Sequence, residues 1–260
     1  MDCCSASITF LGTGTSHGVP VIGCRCPVCT STDYRNRRTR TSGFIRVGMS
    51  HLLIDAAPEF RLQCLANNVE QVDAVLFTHA HADHIFGLDD IRRFNEMQMC
   101  SIPCFGSSDT LSVVRKSFEY VFVPTQIGGG KPMLDLIEIN GRFEAAGVAV
   151  TPIPVMHGNL PVFGYRIGGL VYLTDCSFIP ESSFGLMEDV DLLVLGVLRH
   201  EPHETHLSLE EGVAVAERIN ARRTRFVHIS HSLDHDSTNR ILPESVELAY
   251  DGLEMEFRYP

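Results

Sequence analysis

No run of eighteen apolar residues occurs anywhere in this 260-residue chain, so no membrane-spanning helix is expected. The opening Met1-Asp2-Cys3-Cys4-Ser5 has neither a basic segment nor an apolar one, and so no recognisable secretory signal. Positive charge is in deficit. The formal net charge of −11 argues against general adhesion to nucleic acid or to a membrane. Cysteine is present, but nine is an odd number and the chain is not small. Without an export signal a disulfide framework is not expected, and a cytoplasmic location is. No repeat of fixed period and no shift in composition marks a linker, so residues 1–260 are read as one domain. A hydrophobic share of 44% with 20% charged residues suits a globular chain that buries a core.

What stands out is Thr-His-Ala-His-Ala-Asp-His at 78–84, directly after the apolar run Ala74-Val75-Leu76-Phe77. That run has the length and composition of a buried strand. The polar residues therefore leave a strand end, where irregular backbone can turn several side chains inward. Imidazole and carboxylate together match Zn, Mn or Fe. His79 and His81 can face one ion, and Asp83 and His84 a second. Two ions roughly 3.5–4 Å apart make a hydrolytic centre. A solvated histidine-rich loop is the blander alternative, and it suits an isolated His-x-His better than this full run.

The pattern His-x-His-x-Asp-His resembles the central motif of the metallo-β-lactamase superfamily. The resemblance implies a later histidine, a bridging aspartate and a final histidine, each at a strand end. His157, Asp175 and His228 each follow a short apolar run, in that order. It also implies an α/β (α+β) fold, a four-layer αββα sandwich. The implied ligand sets are His79, His81 and His157 for one divalent ion and Asp83, His84 and His228 for the other, with Asp175 between them. The pair, Mn or Zn, would activate a water for hydrolysis, and no serine or cysteine nucleophile is needed.

Cys24-Arg25-Cys26-Pro27-Val28-Cys29 offers three thiolate ligands of a structural zinc. The local sequence gives no fourth, and three free or redox-active thiols are the alternative. One branch of the superfamily is similar here, the phosphoribosyl cyclic phosphodiesterases of phosphonate breakdown. It carries Gly-x4-Gly-Cys-x-Cys-x-x-Cys near its start, matched from Gly18 on, and closes the zinc with a histidine three residues beyond the last catalytic ligand. That residue is His231 here, and the zinc-binding loop spans 18–31. The same branch places a proton-donating histidine just before a Leu-Ser-Leu-Glu-Glu-like helix start. Here that is His206, with Ser208 as the expected N-cap and a pKa near neutrality suited to acid catalysis. His200 and His203 are read as surface loop residues.

Gly12-Thr13-Gly14 ends a first strand over 7–15 but is no P-loop, since no Gly-Lys-Ser/Thr follows. Close backbone approach to the metal site is the expected reason for its glycines. Arg35, Arg37, Arg38 and Arg40 could meet substrate phosphate, though a solvated turn is the preferred reading. Asp55 ends a strand near the metal mouth and is expected to support the histidine loop. Helices are expected over 58–67, 88–98, 107–122 and 209–219. The stretch 123–132, with Gly128-Gly129-Gly130, reads as a flap or a plain connection. Strands are expected at 134–139, 148–155, 163–167, 170–173, 192–197 and 225–229. A closing strand or hairpin over 247–257 is expected to turn at Asp251-Gly252.

A glyoxalase II-like reading would need a helical domain after His228. Ribonuclease Z-like enzymes bear a protruding arm and lack the cysteine cluster. Secreted β-lactamases lack the histidine at position 84, and flavodiiron proteins want glutamate at position 81. Pyrroloquinoline quinone biosynthesis proteins, carriers or oxidases on this fold, share a similar cysteine cluster but commonly depart from the full ligand set. The expected function is hydrolysis of cyclic or small phosphodiesters, with a small phosphodiester as partner and no membrane. Nucleic acid is the less expected substrate, and a homodimer is left open.

Overall fold

The apolar runs alternate between two destinations. In the strand Leu192–Gly196, Leu192 and Val194 turn into one hydrophobic cluster and Leu193 and Leu195 into another. A strand buried on both faces has no polar side to show, and so reads as an unbroken apolar run. Complete burial of each such side chain is worth about 1.5–3 kcal/mol.

The computed structural model describes residues 5–124 and 130–260. The first half runs β1 (Ala6–Gly12), β2 (Ser42–Val47), β3 (Ser50–Ile54), α1 (Phe60–Ala66), β4 (Ala74–Leu76), α2 (Ala82–Ile85), α3 (Ile91–Gln98), β5 (Ile102–Gly106), α4 (Ser108–Ser117), α5 (Glu119–Phe122) and β6 (Leu134–Glu138). The second runs β7 (Phe143–Ala145), β8 (Val148–His157), β9 (Leu160–Ile167), β10 (Leu170–Leu173), α6 (Glu181–Phe184), β11 (Leu192–Gly196), α7 (Leu209–Ile219), β12 (Arg223–Val227), α8 (His235–Asn239), β13 (Val246–Leu248) and β14 (Glu254–Glu256).

One sheet has the order β14-β1-β2-β3-β4-β5-β6 and the other β13-β12-β11-β10-β9-β8-β7. Their inner faces meet in a cluster that includes Ile8, Leu52, Ile54 and Leu76 of the first and Val150, Tyr165, Ile167 and Val194 of the second. The outer face of the first sheet packs on α1, α3 and α4, and that of the second on α6 and α7. This is the four-layer αββα sandwich. Two bonds pin the sheets together beside the histidine loop: Tyr165 Oη–H donates to the Phe77 carbonyl (2.6 Å), and Phe163 N–H to that of Thr78 (3.1 Å).

Several local expectations change. The helix over 107–122 breaks at Phe118, whose φ of −116° and ψ of 39° end α4 and turn its ring into the core against Phe86. The last segment is not a hairpin: β13 extends the second sheet beside β12, and β14 crosses to the first beside β1. The glycine turn after β1 packs closest on Arg38–Arg40. A Cβ on Gly12 would lie 2.0 Å from the Arg40 carbonyl oxygen. Gly14 also bridges to Ile229, bracing the segment between His228 and His231. Ser208 caps α7 as expected, in a capping box with Glu211, and Ser107 caps α4. Gly128 and Gly129, the centre of the expected flap, lie outside the described residues, as do Met1–Cys4.

Candidate metal centre

The carboxyl ends of β3, β4, β8, β10 and β12 gather Asp55, the 78–84 loop, His157, Asp175 and His228. Three non-glycine residues make the exits in left-handed backbone: Asp55 (φ 58°), Asp175 (48°) and His228 (59°). Such conformations cost about 1–3 kcal/mol each and persist where surrounding packing dictates them.

Two ligand sets result. His79, His81, His157 and Asp175 each bring one ligand atom within 4.8 Å of the others, and so do Asp83, His84, Asp175 and His228. Asp175 belongs to both. Its Oδ1 lies 3.4 Å from His84 Nε2, and its Oδ2 lies 3.3 Å from His228, 3.8 Å from His79 and 3.9 Å from His157, each at Nε2. His79, His84, His157, Asp175 and His228 are buried, Asp83 is half-buried, and His81 opens to solvent.

The hydrogen bonding behind these side chains favours metal-ligating tautomers. His84 Nδ1–H donates to Asp55 (2.7 Å), and His157 Nδ1–H to the Thr205 carbonyl (2.7 Å). Thr78 donates to Asp55 through N–H (2.8 Å) and Oγ1–H (2.7 Å), and its Oγ1 accepts from His79 Nδ1–H (3.1 Å). With Nδ1 so engaged, Nε2 is the ring nitrogen left to face a metal. His84 Nε2 and both ring nitrogens of His228 are buried without a hydrogen-bond partner among the described residues. Orphaned buried nitrogens beside carboxylates fit a divalent cation.

Charge tells the same story. Burial disfavours ionisation of Asp83 and Asp175, yet the neighbouring His228 and His84 hold both well below the usual carboxylate range. Burial likewise opposes charge on His84, but Asp175 and Asp55 push it well above its ordinary value. His79 is held neutral by burial. The cluster calls for positive charge at its centre.

A separate group joins Cys24, Cys26 and Cys29 to His231, whose Nδ1 lies 3.3, 3.5 and 3.4 Å from the three sulfurs. A tetrahedral zinc with ordinary Zn–S and Zn–N bonds sets such edges at about 3.5 Å. The Cys29 N–H donates to Cys26 Sγ (3.4 Å) and draws that thiol down to about 6, so it ionises readily.

His206 stacks on His228, ring centroids 4.7 Å apart, and lies as close to His157. Its pKa is not near neutrality: burial, then His228, pull it down to about 3. His200 and His203 are exposed. Three of the four arginines have partners. Arg35 pairs with Asp33 and Asp236, Arg40 with Glu59, and Arg38 is buried. Arg38 donates to Thr13 (2.9 Å), the Ala249 carbonyl and His235 Nδ1 (3.2 Å). For Arg38 the solvated-turn expectation is corrected, because these partners lie far away in sequence. Thr78 and Thr205, which orient His79 and His157, were not singled out in the sequence; adjacency to ligand positions was the only available signal.

A groove of about 510 Å³ opens elsewhere, between α1 and α3, lined by Phe60, Cys64, Phe94 and Met97 among others. It holds no histidine, and burial pushes its Cys64 thiol up to about 12. The chemistry is concentrated at the strand ends.

A sequence model described as the beta-lactamase superfamily domain matches residues 50–229. A crystal structure of a new diphosphatase from the PhnP family is 40% identical, with a TM-score of 0.92 over 98% of both chains. An octanoyltransferase of Porphyromonas gingivalis is 36% identical over 250 residues, which cover 94% of this chain and 50% of that one. Zinc-bound PqqB from Methylobacterium extorquens is similar in fold, with a TM-score of 0.80 at 21% identity over 96% of this chain and 100% of that one. The chain spans about half the length of the curated relatives it matches first. Among the described residues no helix is long and apolar enough to cross a membrane.

Proposed function

Because this chain belongs to the beta-lactamase superfamily and, within it, to the PhnP family, we propose that it is a metal-dependent phosphodiesterase acting on small or cyclic phosphodiesters. The observation that carries the reading is Asp175, shared by two complete ligand sets. His79, His81 and His157 would hold one divalent ion, Mn or Zn, and Asp83, His84 and His228 the other. When bound, such ions supply electrophilic activation of water and of a phosphoryl group. The protein does the rest. Asp55 and Thr78 fix the ring orientations, the buried walls exclude bulk water, and exposed His81 marks the open side. His206, between His157 and His228, holds the proton for the leaving alkoxide. An anionic substrate beside it would raise its depressed pKa toward the working range. Cys24, Cys26, Cys29 and His231 would hold a structural zinc.

Octanoyl transfer is the less favoured reading. This chain covers only half of the relative that carries that name, so the unmatched half is free to carry that activity. The thiol nearest the ligand sets in sequence, Cys176, is fully buried and pushed up to about 12, so it offers no thiolate nucleophile there. A pure carrier role of the pyrroloquinoline quinone type gives no reason to keep all seven ligands.

The test is a turnover screen of Mn- and Zn-loaded protein against cyclic phosphates, linear phosphodiesters, thioesters and β-lactams, with Asp175→Ala alongside. Turnover confined to phosphodiesters, and lost with both ions in the variant, is expected. Turnover of thioesters alone, or a fully active Asp175→Ala, would overturn the reading.

A further inference from the structure

The groove between α1 and α3 has no part in the proposed chemistry, yet its surroundings are unusual for a surface. Phe60, Cys64, Val69 and Phe94 line it and are buried. Beside it the outer face of α1 carries Leu62, 58% exposed, and Leu65, 63% exposed. Residues at i and i+3 are neighbours on a helix, so the two leucines form a short ridge. A second hollow of about 300 Å³ flanks α1 on its other side, lined by Leu11, Leu62 and Ala66 among others. A surface helix ordinarily turns a polar face to water. This one turns an apolar ridge between two hollows.

The rim carries charge of both signs, and part of it is unmatched. Arg92 pairs with Asp89 (3.2 Å) and Arg93 with Glu96 (3.0 Å), each within one turn of its own chain. Arg61, Glu70 and Asp90 also line the groove, and their side chains have no ion pair or hydrogen bond among the described residues. A partner of one charge would leave some of these groups facing their like. A surface that holds a ridge, a hollow beside it and both charges is complementary to itself. Turned about a two-fold axis, it makes the same contact twice.

We propose that the face formed by α1 and α3 joins two copies of this chain about such an axis. Leu62 and Leu65 of each copy enter the groove of the other, and Arg61 faces Glu70 of the second copy. Glu70 is exposed and can reach across, whereas Asp90 is half-buried at the start of α3. The ridge is thereby removed from water, and the unmatched charges find opposite partners at the rim of the contact.

Sedimentation velocity of the metal-loaded full chain tests this. At about 0.15 M salt the Debye length is about 8 Å, which screens the net negative charge of each copy. A concentration-dependent equilibrium between monomer and dimer is expected. Leu65→Glu changes a side chain that folding leaves mostly in water; it should yield monomer alone, with metal content and circular dichroism unchanged. Arg61→Glu sets like charges together and should weaken the dimer about tenfold or more, and adding Glu70→Arg should restore it. A wild-type protein that is monomeric at every concentration overturns the proposal, as does a dimer that survives Leu65→Glu. Failure of Glu70→Arg to rescue Arg61→Glu overturns it as well, because the two charges then do not meet.

Discussion

The imidazole of His206 lies face to face with that of His228, the planes only 15° from parallel. A ring in that position overhangs one ligand set without belonging to it. His206→Ala should therefore keep both divalent ions, as measured by elemental analysis. It should slow hydrolysis of an alkyl or ribosyl phosphodiester by about 10²–10⁴-fold. On bis(p-nitrophenyl) phosphate, whose phenolate departs unaided, the loss should be much smaller. An equal loss on both esters would make His206 a positioning residue.

Asp55 reaches both ligand sets, directly to His84 and through Thr78 to His79. Asp55→Asn retains the shape but cannot accept all three hydrogen bonds. Metal affinity should drop about 10–100-fold, and in both sets together. Competition with a graded chelator measures it; a defect confined to one ion would mean that Thr78 does not relay the effect.

For the cysteine group, purified protein should hold about three divalent ions, one of them resistant to mild chelation. Cys26→Ser should lose the resistant ion and lower the melting temperature, while the remaining two can still be loaded. Retention of all three ions would show that these four residues hold none.

His235 supplies a pH dependence. It is buried, and burial, followed by the Arg38 guanidinium, pulls its pKa down to about 4. Unfolded histidine titrates near 6.5. Between those values the unfolded chain binds a proton and the native chain does not, so stability is full above about pH 6.5 and falls as the pH drops toward 4. His235→Asn should lose less stability than wild type between pH 7.5 and 5 in urea unfolding. Other groups titrate equally in both proteins, so identical losses would refute the assignment.

Much of the site was legible in the sequence because strands buried on both faces leave unmistakable apolar runs, and His157, Asp175 and His228 sit where such runs stop. Less legible was anything decided across the chain. Four arginines in six residues look like a solvated patch, and only the fold brings Ala249 and His235 to Arg38. The alternation of Val246–Leu248 and Glu254–Glu256 is the same whether the two strands pair with each other or with separate sheets. The depressed pKa of His206 comes first from its burial and then from His228, and no local pattern announces either.

That separation of β13 from β14 has a consequence for how the protein is made. β14 pairs with β1 in a ladder that sets Ser7 against Glu256, joining strands that are far apart along the chain. A nascent chain thus carries β1 with one edge of bare amides and carbonyls until Glu254–Glu256 has left the ribosome. Closing so long a loop is slow, and an open strand edge invites pairing with other chains in the meantime. Early truncation or stalled synthesis should therefore yield aggregates rather than a soluble fragment, even when every metal ligand has already been translated.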